Sequence, residues 1–137
     1  MNRELFEKVR AKILSEPEDF YMGDWESAKT RLVEGIYVPD DSSCRTTRCL
    51  AGWALSLSGQ KVWVEHSTER VSARAAAVLG IPEKWTDYLF YAPFWPPDLQ
   101  EAEGDTAADG ARKASEIIDR VLDGRFEAWV TERSRGL

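Results

Sequence analysis

The sequence has little of what catalytic and metal sites are usually built from. Its 137 residues include one histidine, His66, and two cysteines, Cys44 and Cys49. A structural zinc ion normally takes four nitrogen or sulfur ligands, so carboxylates would have to complete any such site here. The chain also lacks a glycine-rich phosphate loop and a set of nucleophile, base and orienting residue. We therefore expect a protein that is not an enzyme and that carries no cofactor.

Long hydrophobic runs and clusters of basic residues are also absent. No apolar stretch approaches the ~20 residues that cross a bilayer. The first fifteen residues carry charges throughout, unlike a signal peptide. Both features predict a cytoplasmic protein that does not bind membranes. The net charge of −6 and the scattered arginines argue against nucleic-acid binding, although such a surface permits a basic partner.

Tryptophan and helical patterning are abundant instead. The chain has six tryptophans, and 43% of its residues are hydrophobic, which allows a large core. Apolar residues recur at spacings of three and four over most of the chain. We expect one domain over residues 1–137, mainly α, folded as a compact bundle of about five helices. Two β-prone stretches, 33–38 and 61–65, leave room for a small two-stranded β-ribbon.

Capping and stop residues predict where the helices begin and end. Asn, Thr and Asp side chains cap helix starts, whereas Gly and Pro follow helix ends. The predicted helices run from Asn2 to Ser15, from Thr46 or Thr47 to Gly59, from Ser72 to Gly80, from Pro82 to about Phe90, and from Asp105 to Gly124, with a short tail helix around Trp129. The second of these is apolar nearly all round, so we expect it to be the buried central helix.

One stretch resembles a known family. CRTTRCLAGWA, at residues 44–54, is similar to the Cys-Gly-Thr-x-x-Cys-aliphatic-Ala-Gly-x-Ala signature of small uncharacterised helical proteins from actinobacteria and their phages. ARAAAVLGI, Leu-Phe, Trp-Pro and Ile-Asp follow in the family's order, so the resemblance covers about residues 44–122. Arg45 stands where the family has glycine. The resemblance implies a compact helical fold and a phage or prophage origin, but no activity.

The two cysteines leave three alternatives open. Their C-x4-C spacing places Cys44 in a loop and Cys49 in the first turn of a helix. A helix N-terminus and nearby arginines lower the pKa of a thiol, which is typical of a redox pair. The pair could instead form half of a metal site, with His66 as a further ligand. The third alternative is that Cys49 is a small core residue with Cys44 packed beside it.

The segment YAPFWPP, Tyr91 to Pro97, is the strongest candidate for a contact surface; we call it the aromatic loop. Aromatic side chains are enriched at interface hot spots, and a loop stiffened by proline loses little entropy on docking. We therefore predict that Tyr91, Phe94 and Trp95 bind a partner. The alternative is that the same rings cover the core of a small protein.

Two weaker patterns favour structural explanations. Residues 72–90 are spaced like a helix-turn-helix, but the second helix is acidic and aromatic, which predicts packing against the core. Residues 105–116 partly match a calcium loop, yet they read more simply as a capped helix.

Taken together, the residues favour a small accessory protein that binds another protein, plausibly phage-encoded and directed at a host protein. The alternative is a thiol redox or metal-binding module centred on Cys44 and Cys49. A third hypothesis, an acidic decoy for a nucleic-acid-binding protein, would need carboxylates concentrated on one face.

Overall fold

The protein is mainly α-helical over residues 1–20, 22, 26–28, 30–33, 36–39, 46–62 and 70–135, which a computed structural model describes. The prediction of a mainly α, helix-bundle fold is therefore confirmed. Across these ranges there are six α-helices instead of about five: α1 (Arg3–Ser15), α2 (Leu50–Leu57), α3 (Val71–Leu79), α4 (Thr86–Leu89), α5 (Ala107–Asp123) and α6 (Arg125–Arg135).

Two small antiparallel sheets accompany the helices. Their strands are β1 (Glu26–Ala28), β2 (Thr30–Val33), β3 (Ile36–Pro39) and β4 (Thr46–Arg48); β1 pairs with β4, and β2 pairs with β3. Part of the predicted stretch 33–38 pairs with residues 30–33, because β2 and β3 pair with each other. Of its predicted partner stretch 61–65, residues 63–65 lie outside the described residues, so that pairing stays a prediction. A connection of two residues, as between β2 and β3, closes at a smaller entropy cost than a connection of about twenty residues.

The start of α1 and the end of α3 are joined by one side chain. The Asn2 carboxamide oxygen accepts a hydrogen bond from the Leu5 N–H (3.1 Å), which confirms the predicted N-cap. The same carboxamide donates to the Val78 carbonyl (3.2 Å), and the Asn2 backbone N–H donates to the Leu79 carbonyl (2.7 Å). Gly80 has φ +67°, and a Cβ there would lie 3.2 Å from the backbone of the first residue. Glycine thus serves both the left-handed turn and this close approach.

The central helix α2 is buried, as expected, but its cap differs from the prediction. The N-cap is Cys49, whose Sγ accepts a hydrogen bond from the Gly52 N–H (3.5 Å). Thr46 and Thr47 belong to strand β4, where pairing with β1 takes precedence over local capping preference. The end of the helix is as predicted, because Gly59 follows the C-cap with φ +88°.

The core lies between α1, α2, α3 and α5. Helix α1 packs against α5 and α2, and α2 packs against α3. Helix α6 packs against α5. Trp53, Trp85 and Trp95 are all buried in this core, while Trp25 and Trp63 lie outside the described residues. Over the described ranges, no helix combines the length and apolarity that crossing a bilayer requires.

Candidate partner-binding site

The aromatic loop divides its rings between the surface and the core. Phe94 is 53% exposed and Tyr91 is 39% exposed, whereas Trp95 is only 4% exposed. The Trp95 indole N–H donates a hydrogen bond to the carbonyl of Leu89 (2.8 Å). Trp95 therefore adds little to the outer surface of the loop, because its indole N–H points inward to the Leu89 carbonyl. Its predicted role in partner binding stays a prediction. The rings of this loop that remain accessible are those of Phe94 and Tyr91.

The backbone around Phe94 is held from both sides. The Gln100 side-chain amide donates to the carbonyls of Pro93 (3.2 Å) and Trp95 (2.8 Å), which flank Phe94 in the chain. The Phe94 N–H donates to the Tyr91 carbonyl (2.9 Å) inside a short 3₁₀ turn. An exposed ring on a backbone fixed in this way is already ordered before it meets a partner.

An arginine on α5 anchors the far end of the loop. The Arg120 guanidinium donates to both carboxylate oxygens of Asp98, and its Nε donates to Glu116 (3.2 Å). The Arg120 side chain is mostly buried, with 19% of its surface exposed. The hydrogen bond from Arg120 lowers the pKa of the Asp98 carboxyl below its ordinary value of 3.8.

A lysine on α5 anchors the segment that follows the loop. Lys113 Nζ donates to the Gln100 carbonyl (2.9 Å) and pairs with the Asp105 carboxylate (2.5 Å). Both side chains of this pair are about 15% exposed. The hydrogen bond from the Ala102 N–H, and after it that from Lys113, lowers the pKa of Asp105 below 3.8. The segment that follows the loop, residues 98–105, is thus joined to α5 at both of its ends by charged hydrogen bonds.

An open cleft of about 420 Å³ lies between the aromatic loop, the segment around Phe20 and the first turns of α5. We call it the α5 cleft. Its polar boundary consists of Glu101, Asp105, Thr106 and Lys113. The remaining lining is apolar or carries no side chain: Phe20, Met22, Ala92, Pro93, Trp95, Leu99, Ala107 and Gly110. A volume of this size is typical of sites that take a small ligand or a side chain from a partner.

The start of α5 is a capping box, one residue later than predicted. Thr106 Oγ1 accepts from the Asp109 N–H (3.2 Å), and the Asp109 carboxylate accepts from the Thr106 N–H (2.9 Å). Asp105 does not cap the helix, because its carboxylate binds the Ala102 N–H and Lys113 instead. The calcium-like pattern is therefore a helix start, and two of its carboxylates already have protein partners.

Negative charge is concentrated in the part of the chain that forms this site. Residues 85–111 contain six carboxylates and no Lys, Arg or His. Asp98 and Asp105 are neutralised by the α5 cations. Glu101 and Glu103 are exposed, and no cation pairs with either of them among the residues that the structure describes. Within the part of the chain that the structure describes, the cleft edge at Glu101 therefore carries negative charge that no ion pair neutralises.

The α5 cleft was not predicted from the sequence. Two signals were available: the absence of basic residues over 85–111, and Gly110 within an otherwise regular helical pattern. Neither signal identifies Phe20, Met22 or Lys113 as neighbours of the loop, because those contacts join segments that are distant in the chain.

The segment 72–90 packs into the core. Its second helix, α4, is four residues long and follows a 3₁₀ turn that ends at Trp85. The Trp85 ring is buried and meets Phe126 edge-on, with 5.4 Å between ring centroids. Trp85 thus joins the 3₁₀ turn before α4 to helix α6 within the core.

The cysteine pair is only half described. Cys49 is 1% exposed at the start of α2, where its sulfur takes part in the helix cap. Cys44 and His66 lie outside the described residues. Redox or metal chemistry at Cys44, Cys49 and His66 therefore stays a prediction.

Comparison with known proteins identifies no relative for this chain. No family model matches it, and no curated protein or solved structure is similar to it. The likeness of residues 44–122 to the small actinobacterial and phage proteins rests on the sequence motifs alone.

Proposed function

We propose that this protein is a small cytoplasmic accessory module that binds another protein through the aromatic loop and the acidic surface around it. The observation that carries the proposal is the exposure of Phe94 on a backbone that Gln100 holds on both sides. A phage or prophage origin and a role directed at a host protein belong to the same proposal.

The energetics of such a contact favour a loop whose backbone is already fixed over a flexible loop. A buried aromatic side chain contributes about 1.5–3 kcal/mol relative to an exposed one. Ordering a flexible backbone costs about 1–2 kcal/mol per residue, which would offset that gain. At the aromatic loop much of this cost has already been met in folding, because the carbonyls on both sides of Phe94 are hydrogen-bonded. Most of the free energy gained by burying the Phe94 ring is therefore available for binding.

The test is affinity capture from a lysate of the source organism, or of its host, with tagged protein. The informative variant is Tyr91→Ala combined with Phe94→Ala. Leu14→Ala is the matched control, since Leu14 is 50% exposed but lies on α1. We expect one protein to be captured by the wild type and the control and lost with the loop variant. The captured protein, once purified, should bind the loop variant at least about tenfold more weakly, a loss of about 1.4 kcal/mol.

Two results would contradict the proposal. One is the capture of no protein by the wild type. The other is a captured protein that the loop variant retains as well as the Leu14→Ala control does.

A second candidate function is the thiol redox or metal-binding module. It is favoured by the position of the Cys49 sulfur at the N-terminus of α2, 3.5 Å from the Gly52 nitrogen. Thiol titration of unfolded protein and metal analysis of protein purified without added metal test it. Two free thiols and no stoichiometric metal would count against it.

A further inference from the structure

Gly110 occupies a helical position where neither the backbone nor the packing requires a glycine. It is the fourth residue of α5, and its φ does not lie in the left-handed region. A Cβ built on it would meet no atom within 4 Å. Glycine destabilises a helix interior relative to alanine. The structure gives no reason for a glycine at this position, although glycine lowers helix stability. This suggests that the open space in front of Gly110 serves to bind another group.

That open space is the α5 cleft, which Gly110 lines together with Trp95 and Leu99. The floor is apolar, so an apolar group that enters gains by leaving water. The charged pair in the wall, Lys113 with Asp105, is neutral as a unit and largely buried. The pair therefore forms part of the cleft wall without attracting a charge of either sign.

The charge that remains at the opening is negative. Glu101 lines the cleft, is exposed, and forms no ion pair with a cation among the residues described. Glu103, two residues further along the chain, is also exposed and forms no such pair within those residues. An occupant that brings a cation to this edge would gain a pair, whereas an acidic occupant would be repelled. Steering by the wider acidic surface acts in the same direction.

We infer that the α5 cleft receives a large aliphatic side chain from a segment of the partner protein in which a lysine or arginine flanks that side chain. This inference rests on the proposed function and deepens it, since it gives the partner a chemistry. The aliphatic side chain lies against Gly110 and Leu99, and the flanking cation pairs with Glu101. Phe94, beside the cleft, contacts the surface around the inserted side chain.

Blocked tetrapeptides test the chemistry directly. The probes are Arg-Leu-Leu-Arg, its charge-reversed partner Glu-Leu-Leu-Glu, and Arg-Gly-Gly-Arg, each titrated to millimolar concentration into ¹⁵N-labelled protein. We expect the first peptide to shift the backbone amides of Gly110 and Lys113 and the indole N–H of Trp95. The acidic peptide should bind at least about fivefold more weakly, in line with a surface ion pair exchanged for a repulsion. The glycine peptide should cause no shift at Gly110.

Two variants of the protein complete the test. Gly110→Leu adds a side chain whose Cβ would meet no atom within 4 Å, and the rest of that side chain should fill part of the cleft. The variant should therefore abolish the peptide-induced shifts without lowering the melting temperature. Glu101→Gln should weaken binding of the arginine peptide by about two- to fivefold. The matched control is Glu127→Gln, an exposed carboxylate on α6, which should leave that binding unchanged.

The inference is overturned if the acidic and basic peptides bind equally, if no peptide shifts the cleft resonances, or if Gly110→Leu leaves the shifts intact. Its failure is separable from failure of the proposed function. A captured partner that needs Phe94 but still binds Gly110→Leu contradicts the cleft inference alone. Capture of no partner contradicts the proposed function, and the peptide shifts then decide about the cleft by themselves.

Discussion

Two adjacent residues of the aromatic loop should respond to mutation in opposite ways. Trp95 is 4% exposed, and its indole N–H binds the carbonyl of Leu89, a residue with no exposed surface. Phe94, the preceding residue, has more than half of its surface in solvent. Truncation of the Trp95 ring therefore disturbs the core, whereas truncation of the Phe94 ring does not.

The expected magnitudes differ by several kcal/mol. Truncating a buried tryptophan to alanine costs about 3–5 kcal/mol, because apolar contacts are lost and a cavity remains, so Trp95→Ala should lower the free energy of unfolding by that amount. Trp95→Phe keeps a ring but leaves the Leu89 carbonyl without its donor, which costs about 1–3 kcal/mol. Phe94→Ala should stay within about 0.5 kcal/mol of the wild type, as exposed substitutions do.

Urea unfolding followed by far-UV circular dichroism measures all three variants without relying on tryptophan emission. The dependence of the free energy on urea should be similar in all of them, because the same surface is exposed on unfolding. The reasoning would be refuted if Trp95→Ala cost less than about 1 kcal/mol, or if Phe94→Ala cost as much as Trp95→Phe. In either case the assignment of Phe94 to the surface and of Trp95 to the core would be wrong.

Three further predictions concern other elements. Asn2→Ala should lower the free energy of unfolding by about 1–2 kcal/mol. Asn2→Asp should lower it less, because it keeps the cap of α1 and loses only the bond to the Val78 carbonyl. Equal losses in urea unfolding would contradict the double role of this side chain. Gly110→Ala should raise the free energy of unfolding by up to about 1 kcal/mol, and a lower melting temperature would show that the position is not open. Arg120 lowers the pKa of Asp98 in the folded state, so the stability from this pair is present above the ordinary pKa of 3.8 and is lost as the pH falls below that value. Asp98→Asn should therefore flatten the acid limb of a profile of stability against pH. An unchanged acid limb would argue against the pair.

Helix boundaries were predictable wherever the chain carries its own signal. Asn2 caps α1, and Gly80 and Gly124 end α3 and α5 with positive φ angles, all as the sequence indicates. These signals are local, because a cap or a left-handed glycine acts on atoms a few residues away. The cap of α2 was mispredicted because Thr46 is held in a strand by Ala28, which lies far away in the chain.

The candidate site shows the same division. The sequence identified the aromatic loop as a candidate surface, but it did not distinguish the orientation of Phe94 from that of Trp95. That orientation depends on the Leu89 carbonyl and on the space beneath the loop. The α5 cleft could not be inferred at all, since its walls come from Phe20, the loop and α5.

By itself, then, the sequence determined the helical class, most helix ends and the position of the aromatic loop, because these follow from the 3.6-residue period, capping and composition. Only the tertiary structure decided which ring faces the solvent, which carboxylates form an ion pair with a cation and where a cavity stays open. Each of those outcomes is set by a contact between distant segments, such as Lys113 with Asp105 and Arg120 with Asp98, and such contacts exist only once the helices have packed.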